Sequence, residues 1–140
     1  NMQLLKKCTI AALPLLALSG CALLNIPMPT PPGSTPPEML TVPVAQICRD
    51  ADKNPVRATE LYGKKGLSAT GKVQVISEGF KPRYRVLLRA GSASVHAGTD
   101  NQLAIKSVST GQTTRVTGTV KDVSYDHNGC SISLDDAKFY

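Results

Sequence analysis

The 140-residue chain contains no tryptophan, and its benzenoid rings are confined to Phe80, Phe139, Tyr62, Tyr84, Tyr125 and Tyr140. Val, Leu, Ile and Ala must therefore build the core. Histidine is nearly absent as well: His96 and His127 are the only two, and neither falls at a metal-ligand spacing with the other or with Asp100, Asp126, Asp135 or Asp136. No metal site is expected. The chain also lacks a strand-turn-helix nucleophile elbow and a glycine-rich phosphate loop, and Asp135-Asp136 reads as the solvated end of a strand rather than an acid-base pair. With nothing to position a nucleophile, no catalytic residue, enzyme activity or cofactor is expected. The apolar run Thr9 to Leu18 is far too short for a permanent transmembrane helix.

What that run has around it is informative. Lys6 and Lys7 precede it, Pro14 interrupts it and Gly20 ends it, a pattern that suits an export signal better than an N-terminal core helix. It closes on Leu18-Ser19-Gly20-Cys21, which resembles the lipobox of bacterial lipoproteins. The resemblance implies that residues 1–20 are a cleaved signal peptide, that Cys21 receives diacylglycerol, and that the new amino terminus is acylated in turn. Several acyl chains hold far more firmly than one, since each buried methylene adds about 0.8 kcal/mol. Ala22 stands where an inner-membrane retention signal would have Asp, so the same resemblance implies an outer-membrane anchor facing the periplasm.

Residues 21–43 then form a linker. Pro27, Pro29, Pro31, Pro32, Pro36, Pro37 and Pro43 crowd it, and proline-rich chain favours the extended left-handed helix at about 3.1 Å per residue. Loss of Lys6 and Lys7 with the signal leaves 14 basic against 10 acidic residues. An excess that mild permits attraction to phosphate, peptidoglycan carboxylates or anionic headgroups and selects none of them.

Of the four cysteines, Cys8 leaves with the signal and Cys21 is acylated, so Cys48 and Cys130 remain in a compartment that oxidises thiols. A pair in a small exported domain implies a disulfide. Two separately buried thiols are the other reading, because sequence does not show their separation.

Residues 44–140 make one small domain. Thr41 can cap a short helix with Val44, Ile47, Cys48 and Ala51 on one face, and Asn54-Pro55 opens a second one with Ala58, Leu61 and Tyr62 inward. From Leu67 the period changes to two: Leu67, Ala69, Gly71, Val73 and Val75 share one face, and Ser68, Thr70, Lys72 and Gln74 the other. Ser77 to Pro82 is a turn, Arg83 to Arg89 a second strand with Tyr84, Val86 and Leu88 inward, and Ala93 to Ala97 a third. Asp100 can cap one or two helical turns over Gln102 to Val108. Thr113 to Tyr125 predicts a fourth strand, Asp126 to Gly129 a hairpin turn, and Cys130, Ile132 and Leu134 a fifth strand.

Thr70-Gly71-Lys72-Val73 and Thr117-Gly118-Thr119-Val120 repeat one TGxV pattern, which reads as matching bends in the first and fourth strands. Three strands, a short helix and a strand pair, with a glycine inside each long strand, is the order of a five-stranded OB barrel. The fold class is thus mainly β with short helices, a five-stranded OB-fold barrel behind an N-terminal helical segment. With GLSATGKV, GQTTRVTGTV and the terminal CSISLDDAKFY, the domain resembles the bacterial OB-fold proteins grouped as tRNA-anticodon-binding-like, many of them lipoproteins. That resemblance implies an architecture and suggests nucleic acid as a ligand.

The candidate binding residues are Phe80, Lys81, Arg83, Arg85 and Arg89 on the first loop and second strand, with Lys72, Arg115 and Lys121 as outlying members. Arginines beside exposed rings can track phosphates and stack bases; the same charges can also be a solvated strand face that blocks edge pairing. Three functions follow. The first is a non-catalytic module anchored by Cys21 that binds an envelope protein or glycan. The second is a binder of single-stranded DNA or RNA, and the third a structural scaffold in an envelope complex.

Overall fold

In the computed structural model, which describes residues 35–140, the two longest strands each carry a glycine where a neighbouring backbone presses in. Strand β1 (Gly66–Glu78) meets β2 (Tyr84–Ala90) at Gly71, where an added Cβ would stand 2.6 Å from the Arg89 carbonyl oxygen. Strand β4 (Thr113–Asp126) meets β5 (Gly129–Phe139) at Gly118, where a Cβ would stand 2.9 Å from the Asp135 carbonyl oxygen. Each glycine therefore permits close approach. The β4–β5 register slips between Thr117 and Thr119, around Gly118, and the β1–β2 register slips between Val73 and Val75. Such bulges bend long strands enough to curl a sheet shut.

The sheet closes in the order β1-β2-β3-β5-β4, with β3 (Ala93–Thr99) lying parallel to β5 and every other pair antiparallel. This is the OB-fold barrel. Its interior holds Leu67, Val73, Val86, Leu88, Val95, Val116, Val120, Ile132 and Leu134, all essentially inaccessible to solvent. Two helices, α1 (Val44–Lys53) and α2 (Pro55–Tyr62), add Ile47, Ala51, Ala58 and Tyr62 to the same core. Cys48 of α1 is bonded to Cys130 at the start of β5, with their Cα atoms 5.5 Å apart. The Tyr62 hydroxyl donates to Asp50, fastening α2 to α1.

The folded unit runs from Pro37 to Tyr140. Its first residues pair with β1 ahead of the helices: the Leu40 N–H donates to the Gly66 carbonyl at 2.7 Å, and the Gly66 N–H donates to the Glu38 carbonyl at 2.8 Å. The expected lipidation at Cys21 and the signal over residues 1–20 lie outside the described residues. No helix among the described residues is long and apolar enough to cross a membrane.

Several local expectations are corrected. Pro43, not Thr41, occupies the N-cap of α1, and no side chain bonds there. Asn54 caps α2 as expected, accepting from the Arg57 N–H, but Leu61 is half exposed and not buried with Ala58 and Tyr62. Val75 faces solvent because the bulge after Val73 reverses the alternation, and Ile76 packs against the core instead. The helix after β3 is only α3 (Gln102–Lys106), capped by Asn101. Asp100 is drawn away to accept from the Arg83 N–H at 2.8 Å.

Candidate nucleic-acid interface

Strand β2 alternates strictly: Tyr84, Val86, Leu88 and Ala90 point into the barrel, which turns Arg85, Leu87 and Arg89 outward. On β3 the inward Ala93, Val95 and Ala97 leave Ser94 and His96 outside. The register sets Leu87 against His96, and His96 against Ser133 of β5. A half-buried outer face thus crosses β2, β3 and β5 with an imidazole at its centre. Arg85 stands opposite Gly98, which has no side chain to cover it. Pro82 packs there instead, where any larger residue would strike its ring carbons.

Lys121 joins this face from β4. It lies in the register slip between Val120 and Asp122, and that irregularity brings it to a small depression shared with Arg85, His96 and Ser133. Beside it a hollow of about 400 Å³ is lined by Lys81, Lys121, Thr99, Asp100, Asp135 and Asp136, along with Pro82 and Gly98. Burial, reinforced by the nearby Arg85 guanidinium and opposed by Asp122, lowers the His96 pKa below its ordinary 6.5. At neutral pH the face therefore offers an uncharged ring close to Arg85 and Lys121, with the carboxylates of Asp122 and Asp135 also near.

The sequence-derived candidates do not all gather here. Lys81, Arg85 and Lys121 do, and Phe80 projects from the adjoining loop with 98% of its surface exposed. Arg83 is engaged elsewhere: its backbone is tied to Asp100, and its guanidinium lies 5.7 Å from the ring centre of the buried Tyr84. Lys72 and Arg89 are direct partners across β1 and β2, four residues further along β2 from Arg85. At about 3.3 Å per residue that is roughly 13 Å away. Arg115 belongs to the β1–β4 side of the barrel, where it covers the Tyr140 ring at 4.2 Å.

His96 was missed as a site residue, although a signal was present. Once Ala93, Val95 and Ala97 are assigned to the core, alternation alone forces His96 outward on the strand that pairs with the arginine-bearing β2. Among the described residues no group of three or more His, Cys, Asp or Glu side chains comes together as a metal site.

No family profile matches the chain, and no curated protein matches it by sequence. A solved structure does. The chain is similar in fold to a protein of Klebsiella pneumoniae subsp. pneumoniae described as a "putative nucleic acid-binding lipoprotein". The TM-score is 0.55 at 21% identity, and the match covers 73% of this chain and 92% of the other. At that identity the likeness shows a shared fold, in keeping with the closed five-stranded barrel.

Proposed function

We propose that this protein is a non-catalytic lipoprotein of the cell envelope, anchored through Cys21, whose OB barrel binds single-stranded nucleic acid across β2, β3 and β5. The observation that carries this reading is the neutral, half-buried ring of His96 sharing one depression on the outer strand face with Arg85 and Lys121. A base stacks on an uncharged ring irrespective of its identity, while flanking cations meet the phosphates on either side. The description of the Klebsiella protein supports the same ligand class and the same kind of anchor.

The test is fluorescence anisotropy of labelled single-stranded DNA and RNA at several salt concentrations. Binding should weaken as salt rises, with a log-log slope of about 0.7 per phosphate contact. Arg85→Ala and Lys121→Ala should each reduce that slope, and His96→Ala should weaken binding without changing it. Absence of binding at low salt would overturn the reading.

A specific feature favours a second reading, an envelope protein or glycan. Asp100, Asp135 and Asp136 share the lining of the 400 Å³ hollow with Lys81 and Lys121. A polyanion is repelled by those carboxylates, whereas a peptide-bearing glycan with both charges is not. Crosslinking in cells that recovers such a partner through Lys81 or Lys121 would support it.

A further inference from the structure

A second hollow, of about 480 Å³, lies away from the β2–β3–β5 face, at the end of the barrel that the disulfide closes. Four parts of the chain wall it: α1 with Arg49 and Asp52, the end of β2 with Arg89, the β4–β5 hairpin with Tyr125 and His127, and the Cys48–Cys130 bridge. Its volume is within the range of small-ligand sites, about 300–1,000 Å³.

The hydrogen-bond acceptors of both arginines are neutral, and the Asp50 carboxylate stands near Arg49. Arg49 donates to the Gln46 side-chain oxygen at 2.7 Å, and Arg89 donates to the Ser94 hydroxyl at 3.0 Å. A guanidinium carries five N–H donors, so each bond fixes the orientation of its arginine without neutralising the charge. Arg89 also stands directly opposite Lys72 across the strand pair. Like charges in that position repel, and a bound anion would relieve the repulsion. Tyr125, 42% exposed, and His127 bring planar rings to the same lining. Asp52 in the same lining limits the anionic charge that the hollow accepts.

We propose that this hollow is a binding site for a nucleoside monophosphate, with Arg49 and Arg89 on the phosphate and the base against Tyr125 and His127. It is separate from the strand-binding face and does not depend on it. Arginine fits this role because its planar fork pairs with two phosphate oxygens at once. The disulfide ties α1, which carries Arg49, to the start of β5 at the hollow that Arg89 also lines.

The experiment is titration of the full chain with AMP, adenosine and inorganic phosphate, followed by calorimetry and by backbone amide shifts. AMP should bind more tightly than either fragment and should shift the amides of Tyr125, His127 and Arg89. Arg49→Gln and Arg89→Gln should each lower AMP affinity about tenfold, and Arg89→Lys, which keeps the charge without the fork, should fall between. A thermal melt of each variant checks that the fold is intact. Loss of oligonucleotide binding in Arg85→Ala with AMP binding retained would establish that the sites are separate. No shifts in the hairpin, or AMP affinity unchanged in both glutamine variants, would overturn the proposal even where single strands bind on the other face.

Discussion

The Thr59 hydroxyl donates to the Val123 carbonyl at 2.9 Å and accepts from the Val123 N–H at 3.0 Å. One helix side chain thus satisfies both backbone groups of a strand residue 64 positions away. It is needed because β1 pairs with β4 only up to Thr119, leaving the far edge of β4 without a strand partner. Thr59→Val keeps the shape and removes both bonds. A loss of about 1–3 kcal/mol is expected, read from urea unfolding, with Thr59→Ser retaining most of the stability.

The bridge between Cys48 and Cys130 spans 82 residues. Closing so long a loop restricts the unfolded chain, an effect of about 4 kcal/mol in the entropic account. Reduction, or Cys48→Ser with Cys130→Ser, is expected to lower the unfolding free energy by up to that amount. Intact mass after alkylation, with and without reductant, checks the bond itself; equal masses would count against it.

Acid should destabilise the protein through His96. Its folded-state pKa lies below 6.5 because burial and Arg85 disfavour the imidazolium. Below 6.5 the unfolded chain therefore takes up protons that the folded one resists, so this contribution is complete above pH 6.5 and is lost as pH falls through the folded value. Melting temperature measured from pH 8 to pH 4.5 should fall less steeply for His96→Gln than for the parent protein.

Gly71→Ala places a methyl group against the Arg89 carbonyl, where only 2.6 Å is available. Because the obstacle is backbone, relief requires β1 and β2 to separate, at a cost of about 1–3 kcal/mol. Gly91, with a φ of +61° and no neighbour within 4 Å of an added Cβ, supplies the contrast. There alanine is opposed by conformation alone, by about 1 kcal/mol. Chemical denaturation of both variants distinguishes crowding from backbone preference.

Much of the barrel was legible because alternation with period two is a local signal, and β2 alternates along its whole length and β3 from Ala93 to Ala97. The TGxV pair marked both glycines at which strands crowd together. What could not be read was where the alternation breaks. Val75 was assigned inward because nothing in Val73-Gln74-Val75-Ile76 announces a bulge, which depends on how β1 wraps onto β2. The candidate site divided in the same way. Arg85 was recoverable from its own strand. Lys121 reaches the face through a register slip of β4 on β5, whereas Arg115 pairs with Thr70 of β1 and covers the Tyr140 ring. Both depend on contacts between residues distant in sequence. Asp100 illustrates competition between partners: its carboxylate could cap a helix, but Arg83 on the facing loop offers a backbone N–H, and Asn101 caps α3 instead.

The pairing of Glu38 and Leu40 with Gly66 has a mechanical consequence. A pull on the chain ahead of Glu38 is resisted first by two backbone hydrogen bonds at Gly66, a residue that also pairs with Thr119 of β4. Load therefore passes from the leading segment into the barrel wall before it reaches α1 and the disulfide. Gly66 leaves room at that junction for the sulfur of Met39, which a side chain there would have to displace. The barrel is thus gripped at its seam, and tension on the leading segment can be borne while the β2–β3–β5 face keeps its shape.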